Sequence, residues 1–492
     1  MARFVPSGAS LYNQFDAVVK RQGLCVAIVT ENQTITYVAL RTAIDNCAAI
    51  LAARGVRRGQ SVAVHFTRLE LYMIALFATN RIGAGLVLAA FPDAQNMSPK
   101  PQWLLTDDRM PPAERRGALV IDQTWSGAQT NQAPAPASHS SDNLVYVFGT
   151  SGSTGKRKYL RVSEKNLLTR MPSQQYYIDE ETRLLCTIGS QTFKSTILHL
   201  TTLLCGGSAV LLPPQVQNLP YYIDLFGVNT LLTTPMILED LITLNLPKDI
   251  YRTLECVGVT GVAASQVTLE KVADRICGKI ILSYGSTEMG GTARIRYNKD
   301  EFVPGIVGKI ASGIDVEIVD ETRQPVDRGT EGAVRIRREG VLVALSYSDS
   351  QEEDNESFID DWFYPGDRGW LDAESNLVIS GRDDNVINAG GNKYGLELIE
   401  SEIEAKLGSQ CLVMLGEGPT TGAFLIVFVQ SKQEVQPKAL VDFVHKRFKR
   451  VSVERIYTTE AIEMTETGKK DRMKMARLLE EEPTPFHMVY QL

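Results

Sequence analysis

The chain has 492 residues, 44% of them apolar and 22% charged, with 38 glycines and 21 prolines, which is the composition of a folded protein and excludes a disordered or fibrous one. At roughly 150 residues per unit this length predicts about three structural units, some of them lobes of one larger body. A net charge of −7 argues against nucleic acid as a principal partner.

In chain order, the opening MARFVPSGASLYNQF carries one early cation and no apolar h-region, so neither a secretory signal nor a transit peptide is expected and the protein is read as cytoplasmic. The most apolar stretch, residues 71–91, is interrupted by Asn80 and Arg81. Its clean part is too short for the roughly 20 residues of a membrane span, so it is expected in the core, with no membrane partner. Apolar runs at 62–66, 144–148, 209–212, 230–233 and 279–283 alternate with helical patterns, which predicts α/β layering. Residues 126–141, rich in Pro, Ala, Ser and Gly without hydrophobic period, read as an exposed linker. After about residue 300 the texture shifts to short strand-like pieces with Gly and Pro turns, and LELIESEIEAKL from Leu396 opens a small α+β stretch. The seven cysteines are an odd number without CxxC or Cys/His clustering. They are expected to be buried thiols, with no disulfide or structural zinc.

Chemistry concentrates in a few motifs. The loop Gly149-Thr150-Ser151-Gly152-Ser153-Thr154-Gly155, followed by Lys156, Arg157 and Lys158, comes directly after a buried-looking strand. Glycines let backbone approach an anion while hydroxyls, N–H groups and lysines supply donors and charge, so the loop is expected to wrap polyphosphate. It fails the Walker spacing: five residues before Gly155 stands Thr150, and Lys156 is followed by Arg157. The loop resembles TSGSTGxPKG of the adenylate-forming superfamily, which holds acyl- and aryl-CoA synthetases, adenylation domains of nonribosomal peptide synthetases, and luciferases. Arg157 and Tyr159 depart from that pattern, and Lys158 keeps its lysine.

Further signatures of that superfamily follow in order. Tyr284-Gly285-Ser286-Thr287-Glu288 resembles YGxTE, which implies an aromatic face on adenine, a threonine at phosphate and carboxylate, and Glu288 as a hard oxygen ligand for Mg²⁺. Asp367 stands where the family's aspartate accepts both ribose hydroxyls, with Pro365 replacing the usual threonine. The resemblance makes Arg382 of GRDD a nucleotide contact and Asp384 the hinge. Residues 387–393, INAGGNK, resemble the segment lining the pantetheine tunnel, with Gly391 and Lys393, in a variant reminiscent of the aryl-acid-activating branch. Lys469 in TETGK implies the lysine that reaches the α-phosphate during adenylation.

The resemblance covers nearly the whole chain. It implies an α/β fold with a large N-terminal AMP-binding domain over 1–384, made of layered α/β subdomains plus a β-rich one, and a small mobile α+β C-terminal domain over 385–492. It also implies catalysis by Lys469, Thr287 and Glu288 with ATP, Mg²⁺, and CoA or a phosphopantetheine carrier. A substrate pocket is expected around Phe193, Lys194, Ser195 and Gly261. Amino-acid-activating relatives place an aspartate where aligning back from Gly206-Gly207 puts Phe193. An unpaired buried ammonium would cost several kcal/mol, so the expected substrate is an aryl or acyl carboxylic acid lacking an α-amino group. Lys194 is open to two readings, a contact to the substrate or a solvent-facing lysine. The basic cluster Lys446, Arg447, Lys449 and Arg450 is open to a carrier contact or a solvated helix face. No segment after Arg472 has carrier-domain length, so any carrier is expected as a separate protein. The function classes in play are an acid–thiol ligase, an amide ligase sharing the adenylate, and a non-catalytic binding relative.

Overall fold

The computed structural model describes the chain except residues 1–8, 90, 123–124, 126–132, 138–143, 151–157, 190–191, 214, 339–345, 348–356, 384, 390–391, 419–421, 432–434, 465–469, 482–483 and 492. Helices and strands interleave through the first 290 residues, as the sequence pattern predicts. Among the described residues no helix is long and apolar enough to cross a membrane.

Two large sheets form the bulk of the molecule. The longer runs through six parallel neighbours, Thr34–Thr36 pairing antiparallel at their outer edge: Val26–Val29, Ser208–Val210, Arg183–Cys186, Thr230–Thr233, Cys256–Val259 and Ile280–Ser286. Thr230–Thr233 and Cys256–Val259 are buried at every position, because helices cover both faces of a parallel sheet. Beyond Ile280–Ser286 the sheet turns antiparallel and takes in the β-rich region after residue 300. The second sheet holds Ser61–His65, Gly85–Leu88 and Val145–Thr150 in parallel, with Lys158–Ser163 returning antiparallel to the last of these.

The apolar stretch at 71–91 forms the helix Glu70–Ile82 and the strand Gly85–Leu88, both inside the main core. A separate four-stranded sheet, Cys411–Gly418, Gly422–Gln430, Val453–Thr459 and Phe486–Gln491, carries the end of the chain. Helices Leu396–Leu407 and Pro437–Arg447 share its core. One expectation is corrected: Cys25 is exposed and Cys186 only partly buried, whereas the other five cysteines are buried. Cys25 lies at the junction between the first helix, Leu11–Gln22, and the strand Val26–Val29.

Candidate active site

The parallel strands all end on one side of the sheet, where open α/β folds place ligands. The turn between Ile280–Ser286 and Gly290–Arg296 stands at that edge. The register slips after the Tyr284–Ala293 pair, so that Gly285 faces Gly291 and Ser286 faces Gly290. A Cβ on Gly285 would lie 2.1 Å from the Gly290 carbonyl oxygen, which is why only glycine fits there. Thr287 and Glu288 occupy the turn itself, and the Met289 N–H donates to Ser286 Oγ at 3.1 Å.

Arg170, fully buried at the end of the helix Glu164–Arg170, grips this turn from beneath. Its Nη1 donates to the Thr287 carbonyl at 2.7 Å and its Nη2 to the Glu288 carbonyl. The guanidinium lies 4.9 Å above the Phe193 ring. Burial, and then repulsion from Arg338, push its pKa down to about 9, with Glu288 pulling weakly the other way. Arg338 braces the other strand by donating to the Gly291 carbonyl at 3.2 Å. No motif pointed to Arg170; a lone cation closing the apolar run Leu167-Leu168 was the sole trace.

The structure brings Tyr284, Asp367 and Arg382 together across 98 residues of sequence. Asp367 and Arg382 are cross-strand partners, with Nη1 of Arg382 3.5 Å from Oδ1 of Asp367 and donating to the Pro365 carbonyl at 2.9 Å. The Tyr284 hydroxyl donates to Asp367 Oδ2 at 2.5 Å. Burial first, then the Asp367 charge, hold that phenol well above its ordinary pKa. Gly366, at φ +76°, leaves room for Arg382, whose Nη2 would otherwise meet a Cβ at 3.1 Å. A flat aromatic face and a two-oxygen acceptor therefore stand side by side.

The expected substrate residues separate into walls and supports. Thr192 caps the helix Phe193–Cys205. Phe193 is buried edge-on to Phe148 at 5.1 Å. The Ser195 hydroxyl is committed to the Gly189 carbonyl at 2.8 Å within the capping turn, and so supports the helix start. Gly261, at φ +98°, sits in the loop after Cys256–Val259, exposed and near Thr234. Lys194 turns inward, and the solvent-facing reading is set aside: its Nζ donates to Gln174 Oε1 at 3.0 Å in a cleft shared with Ser173, Tyr177, Ser283 and Arg294. Burial, reinforced by Arg294, pushes its pKa down to about 8.

The glycine-rich loop links two antiparallel strands that close on the Thr150–Lys158 pair. The strand Lys158–Ser163 that follows agrees with the failed Walker spacing, since that motif leads into a helix. Ser151, Gly152, Ser153, Thr154 and Gly155 lie outside the described residues, as do Asp384, Gly391 and Lys469. Lys393 pairs with Asn388 in a two-stranded hairpin. Lys470, next to Lys469, bridges Glu400 at 3.1 Å and Glu404 at 2.8 Å, and Arg472 meets Glu400 at 2.6 Å and Glu397 at 3.3 Å. The acidic face of Leu396–Leu407 thus holds Lys470 and Arg472.

A family model described as AMP-binding enzyme matches residues 15–347. The chain belongs to this family of adenylate-forming enzymes. Among curated relatives it is 25% identical over 447 residues to malpinin synthetase of Mortierella alpina, covering 84% of this chain and 6% of that one. It spans less than half the length of the curated peptide synthetases it matches. Among solved structures it is similar to the ATP-bound RpMatB-BxBclM chimera B3, with a TM-score of 0.82, 21% identity, and 96% and 99% of the two chains covered. It is likewise similar to the anthranilate CoA ligase AuaEII in complex with anthranoyl-AMP, with a TM-score of 0.83, 19% identity, and 96% and 98% covered. The family membership and these likenesses agree with the α/β fold class expected from sequence.

Proposed function

We propose that the chain activates a carboxylic acid lacking an α-amino group as its acyl-adenylate, releasing pyrophosphate, and passes the acyl group to a pantetheine thiol of CoA or of a carrier protein. The observation that carries this reading is the joining of Tyr284, Asp367 and Arg382 beside the Arg170-held turn of Thr287 and Glu288, next to an inward cleft.

In this reading the Tyr284 ring lies against adenine and Asp367 accepts the ribose hydroxyls. Arg382 holds the aspartate in place and stands near the phosphates. Such positioning and charge neutralisation account for most of the catalysis in adenylate formation. Glu288, buried and presenting hard oxygen atoms, suits Mg²⁺. No cluster of three or more ligating side chains stands among the described residues, which fits an ion that keeps water and nucleotide phosphates as its other ligands. When bound, the ion would offset the charge of the phosphates. Thr150, Ser151, Gly152, Ser153, Thr154, Gly155 and Lys158 are assigned to the departing phosphates, and Lys469 to the developing charge.

The substrate carboxylate oxygen attacks the α-phosphorus of ATP, forming the new P–O bond as the bond to pyrophosphate breaks. In the second step the thiol sulfur attacks the acyl carbon and AMP leaves. We assign residues 1–384 and 385–492 to separate domains, with Asp384 as hinge and Gly391 and Lys393 at the thiol's path. Phe193 in place of an aspartate supports an acid without an ammonium. The test is acid-dependent exchange of labelled pyrophosphate into ATP across aryl, acyl and amino acids, followed by product analysis with CoA, a carrier protein and amines. Best exchange with ordinary amino acids would overturn the substrate class, and an amide as the preferred product would overturn the thiol acceptor.

A further inference from the structure

The cleft beside the helix Phe193–Cys205 has a charge pattern that activation of a simple acid does not require. It is narrow and partly open to solvent, and Lys194 and Arg294 both line it, with Ser173, Gln174, Tyr177 and Ser283 as neutral neighbours. Among the described residues no carboxylate pairs with either cation. The hydrogen-bond acceptor of Lys194 is the amide oxygen of Gln174, and Arg294 donates to the Ser173 carbonyl and covers the Tyr176 ring at 4.6 Å. Neither cation has a charged hydrogen-bond partner among the described residues, burial disfavours the Lys194 ammonium, and a bound anion would serve both at once.

The place of this pair separates it from the reacting end. Ser283 and Tyr284 are successive residues of one strand, and successive side chains point to opposite faces. Tyr284 turns to Asp367, while Ser283, cross-strand from Arg294, turns into the cleft. An anion seated between Lys194 and Arg294 is therefore a different group from the carboxylate that must reach the nucleotide.

Building on the adenylation reading above, we infer that the acid taken by this site carries a second carboxylate, bound at the far end of the cleft by Lys194 and Arg294. The substrate class is then a small dicarboxylic acid, one end activated and the other held as an anion. Gln174 keeps the Lys194 ammonium aimed inward, and Gly291 gives the wall its depth, since a Cβ there would come within 3.3 Å of Gln174 Nε2.

The test is calorimetric binding to the full chain, loaded with a non-hydrolysable ATP analogue, of matched pairs: benzoate against isophthalate and terephthalate, and pentanoate against glutarate. A charge-assisted hydrogen bond in a desolvated site predicts that at least one diacid binds about tenfold or more tightly than its monoacid. Lys194→Met and Arg294→Met should bring that ratio to about one, while Lys194→Arg should keep part of it. Equal binding within every pair, absence of binding by every diacid, or a preference that survives both methionine variants would overturn the inference. The wild-type ratio decides even if a variant fails to fold. Pyrophosphate exchange on the same panel separates the two claims. Exchange with monoacids and no diacid preference overturns the second-carboxylate site alone, whereas a diacid preference in binding without exchange by any acid overturns the adenylation reading alone.

Discussion

Replacing Arg170 with methionine removes the guanidinium fork under the Thr287–Glu288 turn while keeping most of the side-chain volume. Two buried carbonyls lose their donors, at about 1–3 kcal/mol each. Against this stands the cost of burying the charge. A guanidinium pushed down to about 9 from its usual range carries a penalty of roughly 4–5 kcal/mol, and the variant is relieved of it. The two effects are of similar size, so urea unfolding should show a stability change of no more than about 3 kcal/mol in either direction. Activity should respond differently, because the turn that presents Thr287 and Glu288 loses its brace and a displacement of about 1 Å costs on the order of 100-fold in rate. Arg170→Lys should fall between, since one ammonium cannot serve both carbonyls in the fork geometry. Pyrophosphate exchange measured well below the unfolding midpoint is the assay. Exchange within about threefold of the wild type would refute the bracing role, as would a rate loss that the unfolded fraction fully explains.

Three other expectations concern separate parts of the site. Asp367→Asn keeps the shape but removes the charge that accepts two donors, so KM for ATP should rise roughly 10- to 100-fold; an unchanged KM would remove Asp367 from the nucleotide site. Lys469→Ala should depress pyrophosphate exchange far more than thiolysis of supplied acyl-AMP, and equal losses in both half-reactions would remove the lysine from adenylation. Diacid affinity should be flat below pH about 8 and weaken above it as the Lys194 ammonium deprotonates. The groups facing it are Arg294, Gln174, Ser283, the Tyr177 hydroxyl and the Cys186 thiol. Burial pushes that thiol up to about 12 and holds the hydroxyl above its ordinary range, so neither titrates in the window. The same lowered pKa means the unfolded chain binds more protons between about pH 8 and 10.4, so Lys194 adds to folding stability as pH rises across that range. A diacid affinity that holds constant to pH 9.5 would contradict the assignment.

Local patterning carried much of the architecture. Thr230–Thr233 was legible to the residue because β-branched threonines flank the apolar pair Leu231-Leu232. Leu396–Leu407 was legible from its start because the helical apolar period of LELIESEIEAKL begins there. Motif order led to Tyr284, Asp367 and Arg382, but not to their contact, which depends on the register that sets Asp367 against Arg382. Arg170 was invisible for a related reason: its partners are backbone carbonyls 117 and 118 positions away, and carbonyls leave no mark in a sequence. Lys194 could not be oriented from sequence, since a lysine in the first turn of a helix faces either way until the neighbouring strands are placed. The Lys470 and Arg472 bridges to Glu397, Glu400 and Glu404 were half legible, in that the i, i+3, i+7 acidic spacing marks one helix face, while the cations it receives come from another element.

The central claim is that this chain joins an organic acid to AMP. Purified protein given ATP, magnesium and a panel of mono- and dicarboxylic acids should exchange labelled pyrophosphate into ATP in an acid-dependent manner, with the Lys469→Ala variant far slower. Exchange absent with every acid on the panel, from protein shown to be folded and to bind ATP, would contradict it.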